Sequence, residues 1–292
     1  MIKNYFFILN PINYSKAKSL ENDIHSFFIN KNDKYQIEFS NSLKHLRELT
    51  TFAINSNVDV VIACGGDGTV SEVGQMLINK KVKFGIIPIG SGNGISNNFN
   101  IPVNSRKALE LITRGHTRKM DIGKVNDKYF LSNIGFGIEV EFIRHYTQSK
   151  IHGLLGYVPA FLKSLISHKP SVFSIKILNE NISLNPYVLI ISNTNKQGYG
   201  ISLSPKAKTD DGLLNMIIIS KTNILNLLYL IILIVSGVSI ENKKNVKYLD
   251  SKEFKITSVK DNLKIQIDGE LKSLDKNEFN ILVLPKAIDV LC

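Results

Sequence analysis

Two clusters of glycine residues lie in the first hundred residues, and both are of a kind that can hold phosphate. Residues 65–69 read GGDGT, and residues 90–94 read GSGNG. Glycine lets the backbone turn with its N–H groups exposed, and a helix that follows offers its positive N-terminal end to an anion. These two loops are therefore the first candidates for a phosphate-binding site.

The first loop also carries a charged side chain. Asp67 stands where its carboxylate can hold a metal ion or position a nucleophile. A buried strand is predicted before the loop and a helix after it, and Glu72 follows Thr69 at the spacing of a capping box. Gly-Asp-Gly is also a common turn, but these neighbours favour a phosphate site.

Two familiar nucleotide motifs are disfavoured. The chain contains no GxxxxGK[ST] sequence, and its second glycine loop departs from GxGxxG because residue 95 is Ile. An ordinary P-loop or a Rossmann dinucleotide site is therefore not expected.

Alternating strands and helices are predicted around these loops. Apolar strands are predicted at 5–9, 35–40, 59–64 and 83–89, and helices at 15–30, 43–55, 70–79 and around 105–114. This rhythm is typical of an α/β domain with a mostly parallel sheet. Ligands bind at the carboxyl ends of strands in such sheets, so the two glycine loops would form one cleft.

The pattern changes after residue 120. Short strand-like segments follow at 121–125, 129–133, 172–178, 187–192, 216–220, 253–257, 263–268 and 279–284, with helices near 140–146, 157–167 and 223–235. We therefore predict an α/β nucleotide-binding domain over residues 1–120. A mainly antiparallel β-sandwich domain over 121–292 would follow, and its last residues could return to the first domain.

Composition narrows the class of protein. A net charge of +11 favours polyanionic partners such as anionic lipid or nucleic acid, although biased codon usage would also produce it. Two cysteines exclude a disulfide framework. The apolar segment 224–235 is shorter than the roughly 20 residues of a membrane span, so we read it as a buried or interfacial helix. Lys243, Lys244 and Lys247 follow it, either as headgroup contacts or as a solvated loop.

Further motifs reveal a family resemblance. After GGDGT come IPIGSGN at 87–93, MDIG at 120–123, NIGFG at 133–137, SPKAKTDDGLL at 204–214 and IDGE at 267–270. In this order they resemble the catalytic region of diacylglycerol kinases, sphingosine kinases and bacterial soluble lipid kinases, over essentially the whole chain. The resemblance implies a two-domain fold with ATP in the cleft between an α/β domain and a β-sandwich.

The resemblance also implies roles for particular residues. The nucleotide would contact Asn10, Pro11, Ser40, Gly65, Gly66, Asp67, Gly68, Thr69, Val70, Ser71, Ser91, Gly92 and Asn93. Asp268 matches the general base, with Glu270 beside it, and Asp67 would complete the catalytic set. A supporting Mg²⁺ would bind the carbonyls of Lys208 and Leu213 and the carboxylate of Asp211. Asp268→Asn is expected to fold normally yet lose turnover.

The chain departs from the family pattern in two places. Its first loop reads NPINY at 10–14 where the family has Asn-Pro-x-Ser-Gly, and Gly94 replaces an aspartate. Neither change touches Asp67 or Asp268, so we expect activity to survive.

The expected activity is ATP- and Mg²⁺-dependent phosphorylation of a lipid hydroxyl, foremost that of diacylglycerol, to give phosphatidic acid for phospholipid synthesis. Glu139 and Glu141 stand about where sphingosine kinases carry acids, which leaves a sphingoid base or another lipid alcohol open. An NAD kinase and an inactive lipid-binding protein are the rivals, and a nucleic-acid binder is disfavoured. The expected location is cytoplasmic, with peripheral contact to the inner membrane face, and pairing of two chains stays open.

Overall fold

The computed structural model describes residues 2–150, 154–167, 171–177, 180–259, 263–274 and 276–292. The chain forms two compact units, of which the first comprises Met1–Ile122 with Pro285–Cys292 and the second Gly123–Leu284. Of the predicted elements, only the strand at 172–178 ends outside the described residues, at Leu178.

The first unit contains a parallel sheet covered by helices. Its strands follow the order β2-β1-β3-β4, and they are β1 (Asn4–Leu9), β2 (Lys34–Phe39), β3 (Val60–Gly65) and β4 (Lys83–Pro88). The helices are α1 (Tyr14–Phe28), α2 (Leu43–Asn55), α3 (Asp67–Met76), α4 (Gly94–Asn98) and α5 (Ser105–Arg114). Every residue of β3 is buried, as expected for a strand covered on both faces.

Side-chain caps determine where three of these helices begin. The side chains of Asn13, Ser42 and Asn104 each accept a hydrogen bond from the backbone N–H three residues later. Such caps satisfy one of the amide groups that have no partner inside the helix, and each contributes on the order of 1 kcal/mol. The predicted α/β fold of this region is confirmed.

The second unit is a β-sandwich. One layer is an antiparallel sheet of order β12-β11-β10-β7-β14-β15, and the other runs β16-β13-β8-β9. The elements from the unit boundary onward are β5 (Thr117–Val125), β6 (Lys128–Phe130), β7 (Asn133–Gly137), α6 (Ile138–Thr147), α7 (Leu154–Ser167), β8 (Phe173–Ile177), β9 (Glu180–Leu184), β10 (Pro186–Ser192), β11 (Leu214–Ser220), α8 (Ile224–Val235), β12 (Val246–Ser251), β13 (Glu253–Ser258), β14 (Lys264–Ile267), β15 (Glu270–Ser273) and β16 (Glu278–Leu291).

Aromatic side chains fill the space between these two layers. The Phe136 ring of β7 lies 5.8 Å from that of Phe173 on β8 and 5.2 Å from that of Phe279 on β16, in edge-to-face contacts. All three side chains are buried, and such ring pairs add stabilisation beyond their buried area. The predicted antiparallel sandwich is therefore confirmed.

Candidate active site

The two glycine loops lie in direct contact in the first unit. Gly65 ends β3, and its carbonyl accepts a hydrogen bond of 3.1 Å from the Ile89 amide just after β4. A Cβ atom placed on Gly90 would lie only 2.5 Å from the Gly66 Cα, so a side chain does not fit there. The carboxyl ends of these neighbouring strands thus form a surface of bare backbone, the kind of surface that a phosphate can approach.

Asp67 connects the first loop to the second. It lies in the first turn of α3, and its Oδ1 atom accepts a hydrogen bond of 3.1 Å from the Ile95 amide in α4. Because the N-terminal end of a helix carries partial positive charge, a carboxylate is stabilised there. The contact fixes the orientation of the carboxylate at the edge where the glycine loops meet.

The start of α3 differs from the prediction. Gly66 is the N-cap and the helix begins at Asp67, so the expected capping box of Thr69 and Glu72 is wrong. Glu72 pairs with Arg47 of α2, with the Arg47 Nε atom 2.9 Å from the carboxylate. The helix begins three residues earlier than predicted, with Gly66 in an extended conformation at the N-cap and no side-chain cap.

Asn10 lies beside the same loop. Its Nδ2 atom donates a hydrogen bond of 2.8 Å to the Thr69 Oγ1 atom, and its amide donates to the Cys64 carbonyl at 2.9 Å. Pro11–Asn13 forms a single 3-10 turn, and Asn13 then caps α1. In NPINY, Asn13 thus supplies a helix cap, a role that sequence reasoning missed although asparagine is a favoured N-cap residue.

Asn93 has an unusual conformation in the second loop. Its φ angle is 51°, and its Nδ2 atom donates a hydrogen bond of 2.9 Å to the Gly90 carbonyl. Its Oδ1 atom is buried, and the described residues offer it no hydrogen-bond partner. A buried acceptor of this kind fits a donor from a bound ligand, because leaving it unsatisfied is unfavourable.

The other predicted nucleotide contacts differ in exposure. Ser40 is buried, and its hydroxyl donates to the Leu9 carbonyl at 3.3 Å. Val70 and Ser71 are also buried, and the Ser71 hydroxyl accepts a hydrogen bond of 3.0 Å from the Gln75 side chain. Ser91 is exposed and Gly92 partly exposed in the second loop. The side chains that the structure groups around the glycines are Asn10, Asp67, Thr69 and Asn93.

Asp268 belongs to the second unit, at the tip of a hairpin. Asp268 and Gly269 join β14 to β15, and their φ angles of 47° and 85° are both positive. Two positive φ angles are typical of a two-residue type I′ turn, for which Asp-Gly is a favoured sequence. The predicted strand at 263–268 is confirmed as β14, which ends at Ile267 because the turn begins at Asp268.

The Asp268 carboxylate is held by backbone amides. It accepts hydrogen bonds from Leu131 at 2.8 Å, Ser132 at 2.8 Å and Asn133 at 3.1 Å. Hydrogen bonds to a carboxylate favour its ionised form and fix its position. The expectation that Asp268→Asn folds normally does not fit this arrangement, because an amide has a single acceptor oxygen.

Polar side chains surround this carboxylate. The Ser132 hydroxyl lies 3.0 Å from that of Thr194 and donates to the Gln197 Oε1 atom at 2.9 Å. Asn133 donates to the same Gln197 oxygen, and its own side-chain oxygen accepts from the Gln266 Nε2 atom at 2.7 Å. Such a network fixes the strand ends around Asp268, and sequence analysis identified none of its glutamines.

Glu139 lies at the start of α6, above β7. A Cβ on Gly135 would lie 2.8 Å from the Glu139 Cβ, so the side chain rests directly on the glycine backbone. Burial raises the pKa of the Glu139 carboxyl from its ordinary value of 4.5 to about 7. Glu141 instead forms an ion pair with Arg144. Of the two acids suggested as headgroup contacts, Glu139 is the one whose charged form is disfavoured by its surroundings, while the residue keeps partial exposure.

Glu270 and the predicted supporting metal residues occupy more exposed positions. Glu270 opens β15, and its carboxylate lies 2.7 Å from the Lys272 Nζ atom. The Asp211 carboxylate is exposed and accepts a hydrogen bond of 3.0 Å from the Leu213 amide, just before β11, and Lys208 is exposed in the preceding loop. Within the described residues, no three His, Cys, Asp or Glu side chains gather to hold a metal ion.

Comparison with known proteins identifies the family. Residues 4–125 match the family model described as diacylglycerol kinase catalytic domain, and residues 132–292 match the one described as YegS C-terminal NAD kinase beta sandwich-like domain. Diacylglycerol kinases of Staphylococcus aureus strains bovine RF122 / ET3-1 and Newman are 33% identical to this chain over 244 residues, which is 82% of the chain and 76% of each relative. The chain belongs to the diacylglycerol kinase family.

Solved structures share the fold of this diacylglycerol kinase family member. One protein of Bacillus anthracis str. Sterne matches with a TM-score of 0.80 at 21% identity, covering 99% of this chain and 97% of its own. Another from that strain, described as a diacylglycerol kinase, matches with a TM-score of 0.75 at 19% identity, covering 99% and 96%. The expected enzyme class, a lipid kinase, is confirmed at the level of the family.

We predict that Gly90→Ala destabilises the first unit whereas Gly68→Ala does not. The new methyl group at residue 90 would overlap the Gly66 Cα, whereas one at residue 68 would meet nothing within 4 Å. Overpacking of this kind costs about 1–3 kcal/mol. Urea denaturation of both variants measures the difference, and equal free energies of unfolding would contradict the loop contact.

Asp268→Asn should lower the free energy of unfolding by about 1–3 kcal/mol, because at least one of three amide donors loses its acceptor. Asp127→Asn is the matched control, since that side chain is 79% exposed. Denaturant titrations of both variants test this. If Asp268→Asn unfolds at the same denaturant concentration as the control, the three hydrogen bonds do not stabilise the fold.

The raised pKa of Glu139 predicts a pH-dependent stability. Because burial favours the protonated form, its contribution is fully present below pH 4.5 and is lost as the pH rises through about 7. Glu139→Gln should therefore unfold like the wild type at low pH but be more stable above pH 7, by roughly 1–3 kcal/mol. Exposed Glu253 gives the control variant Glu253→Gln, and a difference that does not change with pH would contradict the assignment.

Proposed function

We propose that this chain transfers the γ-phosphoryl group of ATP to the hydroxyl group of diacylglycerol, giving phosphatidic acid at the cytoplasmic face of a membrane. The observation that carries the transferase part is the contact between the two glycine loops at the ends of β3 and β4. The choice of lipid is supported by relatives named diacylglycerol kinase at 33% identity.

The first unit would bind the nucleotide phosphates. Backbone amides at the start of α3 have no acceptor inside the helix, and the open space around Gly68 lets an anion approach them. Thr69 is oriented by Asn10, and the buried acceptor of Asn93 in the second loop would receive a hydrogen bond from a donor group of the nucleotide other than its phosphates. Positioning by such groups is most of what phosphoryl transfer demands of a protein.

The residues present also fit a divalent cation. Mg²⁺ prefers oxygen ligands and, when bound with ATP, supplies positive charge that neutralises the phosphate oxygens. Asp67 has its carboxylate oriented at the phosphate edge by the Ile95 amide and is our candidate ligand there. Asp211 and the carbonyls of Lys208 and Leu213 are candidates for a separate supporting site, because all are oxygen donors in one exposed loop.

Asp268 would act as the general base. As the lipid hydroxyl oxygen bonds to the γ-phosphorus and the bond to ADP breaks, the hydroxyl proton would move to the Asp268 carboxylate. Three backbone amides hold that carboxylate in place and favour its ionised form, which is the form that can accept a proton. Such proton transfer is worth about 10²–10⁴-fold in rate. Glu270, whose carboxylate is paired with Lys272, would help to balance the charge around Asp268.

One observation favours a second candidate, a sphingoid-base kinase. The Glu139 carboxyl rests on Gly135 in a setting that disfavours its charge. An ammonium group on the substrate would stabilise the carboxylate, whereas diacylglycerol would meet a neutral acid able to donate a hydrogen bond. The two candidate lipids differ in headgroup charge, and Glu139 is the residue that would respond to this difference.

The decisive experiment incubates the protein with radiolabelled ATP, Mg²⁺ and mixed micelles of diacylglycerol, monoacylglycerol, sphingosine or ceramide. We expect label in diacylglycerol. Asp67→Ala and Asp268→Asn should each lower kcat about a hundredfold or more, since they remove a charged ligand and the base. Asp127→Asn, with its exposed side chain, should keep the wild-type rate.

Other outcomes reject parts of the proposal. Label in sphingosine alone would replace diacylglycerol with the second candidate. A parallel tube with NAD and no lipid tests the rival kinase, and label there would move the chain to that activity. Near-full activity of Asp268→Asn would remove this residue from the role of base.

A further inference from the structure

Helix α8 has an unusual composition for an element on the outside of a fold. Its twelve residues, Ile224–Val235, contain no charged side chain, and Asn226 is the one strongly polar residue. A helix that is apolar on all sides is normally surrounded by protein or by lipid. Among the described residues, helix α8 has protein on one side only.

The inner side of α8 packs on the β-sandwich. Leu227, Leu230 and Ile234 are buried, and they share a cluster with Val188 and Ile190 of β10. This spacing places the buried residues on one stripe of the helix. The prediction of a buried helix is therefore confirmed for this inner stripe of α8.

The outer side of α8 remains exposed. Its members are Leu225, Tyr229, Ile232 and Val235, which are 74%, 46%, 63% and 62% exposed; we call these four the outer face. Contiguous exposed apolar surface on a folded protein commonly marks an interaction site. Residue spacings of four, three and three place all four on the stripe opposite the core.

Basic residues lie next to the outer face. The Lys243 Nζ atom lies 5.9 Å from the centre of the Tyr229 ring, and the next residue, Lys244, is exposed. Lys221, three residues before the helix in sequence, is exposed as well. Glu241, the acid that follows the helix, is paired with Lys206. The border of the outer face is therefore positively charged.

Lys247 does not belong to this border, contrary to the grouping expected from sequence. It alternates along β12 with Val246 and Tyr248, and both of these pack in the cluster beneath α8. Successive side chains of a strand point to opposite faces, so Lys247 points away from the helix. It is a natural control for the charge of the border.

We propose that the outer face of α8, with Lys243 and Lys244, docks on the surface of a bilayer that contains anionic lipids. This inference rests on the proposed function in one respect, namely that the enzyme collects its substrate from a membrane. Apolar side chains would enter the region between headgroups and acyl chains, and the lysines would lie at the phosphate groups. No helix among the described residues is long and apolar enough to cross a bilayer, so the contact lies in the interface.

The charge pattern favours a membrane over a second copy of the chain. Pairing of two outer faces would bring two lysine-bordered surfaces together in a chain of net charge +11. Like charges facing each other across an interface are unfavourable. An anionic bilayer instead meets both properties of the surface, its apolar centre and its basic border.

The test is co-sedimentation of the full chain with vesicles of phosphatidylcholine and phosphatidylglycerol, and with vesicles of phosphatidylcholine alone. We expect Leu225→Gln/Ile232→Gln to weaken binding to the mixed vesicles at least tenfold, because two exposed apolar groups are lost. Lys243→Gln/Lys244→Gln should weaken it by about fivefold for each lysine and remove most of the preference for the mixed vesicles.

Matched controls use side chains of similar exposure elsewhere. Val103→Gln, at a site that is 65% exposed in the first unit, and Lys247→Gln should each change binding less than twofold. Wild-type binding that is absent, or that the outer-face variants leave unchanged, overturns the proposal. A dimer in light scattering that the outer-face variants dissociate also overturns it, in favour of a second copy.

A separate readout distinguishes failure of the docking surface from failure of the proposed function. Phosphorylation of a short-chain diacylglycerol dispersed in water should be equal in the wild type and the outer-face variants, because that substrate needs no bilayer. Vesicle binding that depends on the outer face, without phosphorylation of any lipid, would keep the docking surface and reject the proposed function.

Discussion

Gly90 and Gly66 approach so closely that a methyl group on Gly90 would overlap the partner backbone. The contact exists because neighbouring parallel strands end at the same edge of the sheet, and the loops that leave them must pass each other. Because a side chain does not fit at this contact, backbone amides form the surface of the two loops there. Two candidate site residues beside this contact are held by hydrogen bonds to its second half, Asn93 to the Gly90 carbonyl and Asp67 to the Ile95 amide of α4.

The second unit holds its carboxylate in a different way. Asp67 accepts one backbone hydrogen bond from Ile95, whereas Asp268 accepts three from consecutive residues. Three donors fix the position of a carboxylate more firmly than one donor does. The loose transition state of phosphoryl transfer depends on positioning more than on early proton removal. A firmly positioned carboxylate therefore suits the general-base role that we propose for Asp268.

Sequence patterns predicted the α/β and sandwich layers because strand hydrophobicity and glycine position are local properties. The start of α3 was wrong because two signals competed: Thr69 offers a favoured cap, but Gly66 takes the extended cap conformation three residues earlier. The Asp268-Gly269 turn was missed although its signal was present. Local sequence patterns could not predict which backbone amides donate to the Asp268 carboxylate, because those amides lie 135 to 137 residues away in sequence.

The apolar segment of α8 shows a further limit of sequence patterns. Both sides of the helix are apolar, so the sequence favoured a buried helix and left an interfacial helix as the alternative. Packing distinguishes the buried side of α8 from its exposed side, because the apolar side chains of β10 and β11 contact one stripe of the helix. Exposed apolar residues contribute little to folding, and their position next to Lys243 suits a ligand with both an apolar and an anionic part. A phospholipid surface has both, as would the substrate and product of a lipid kinase.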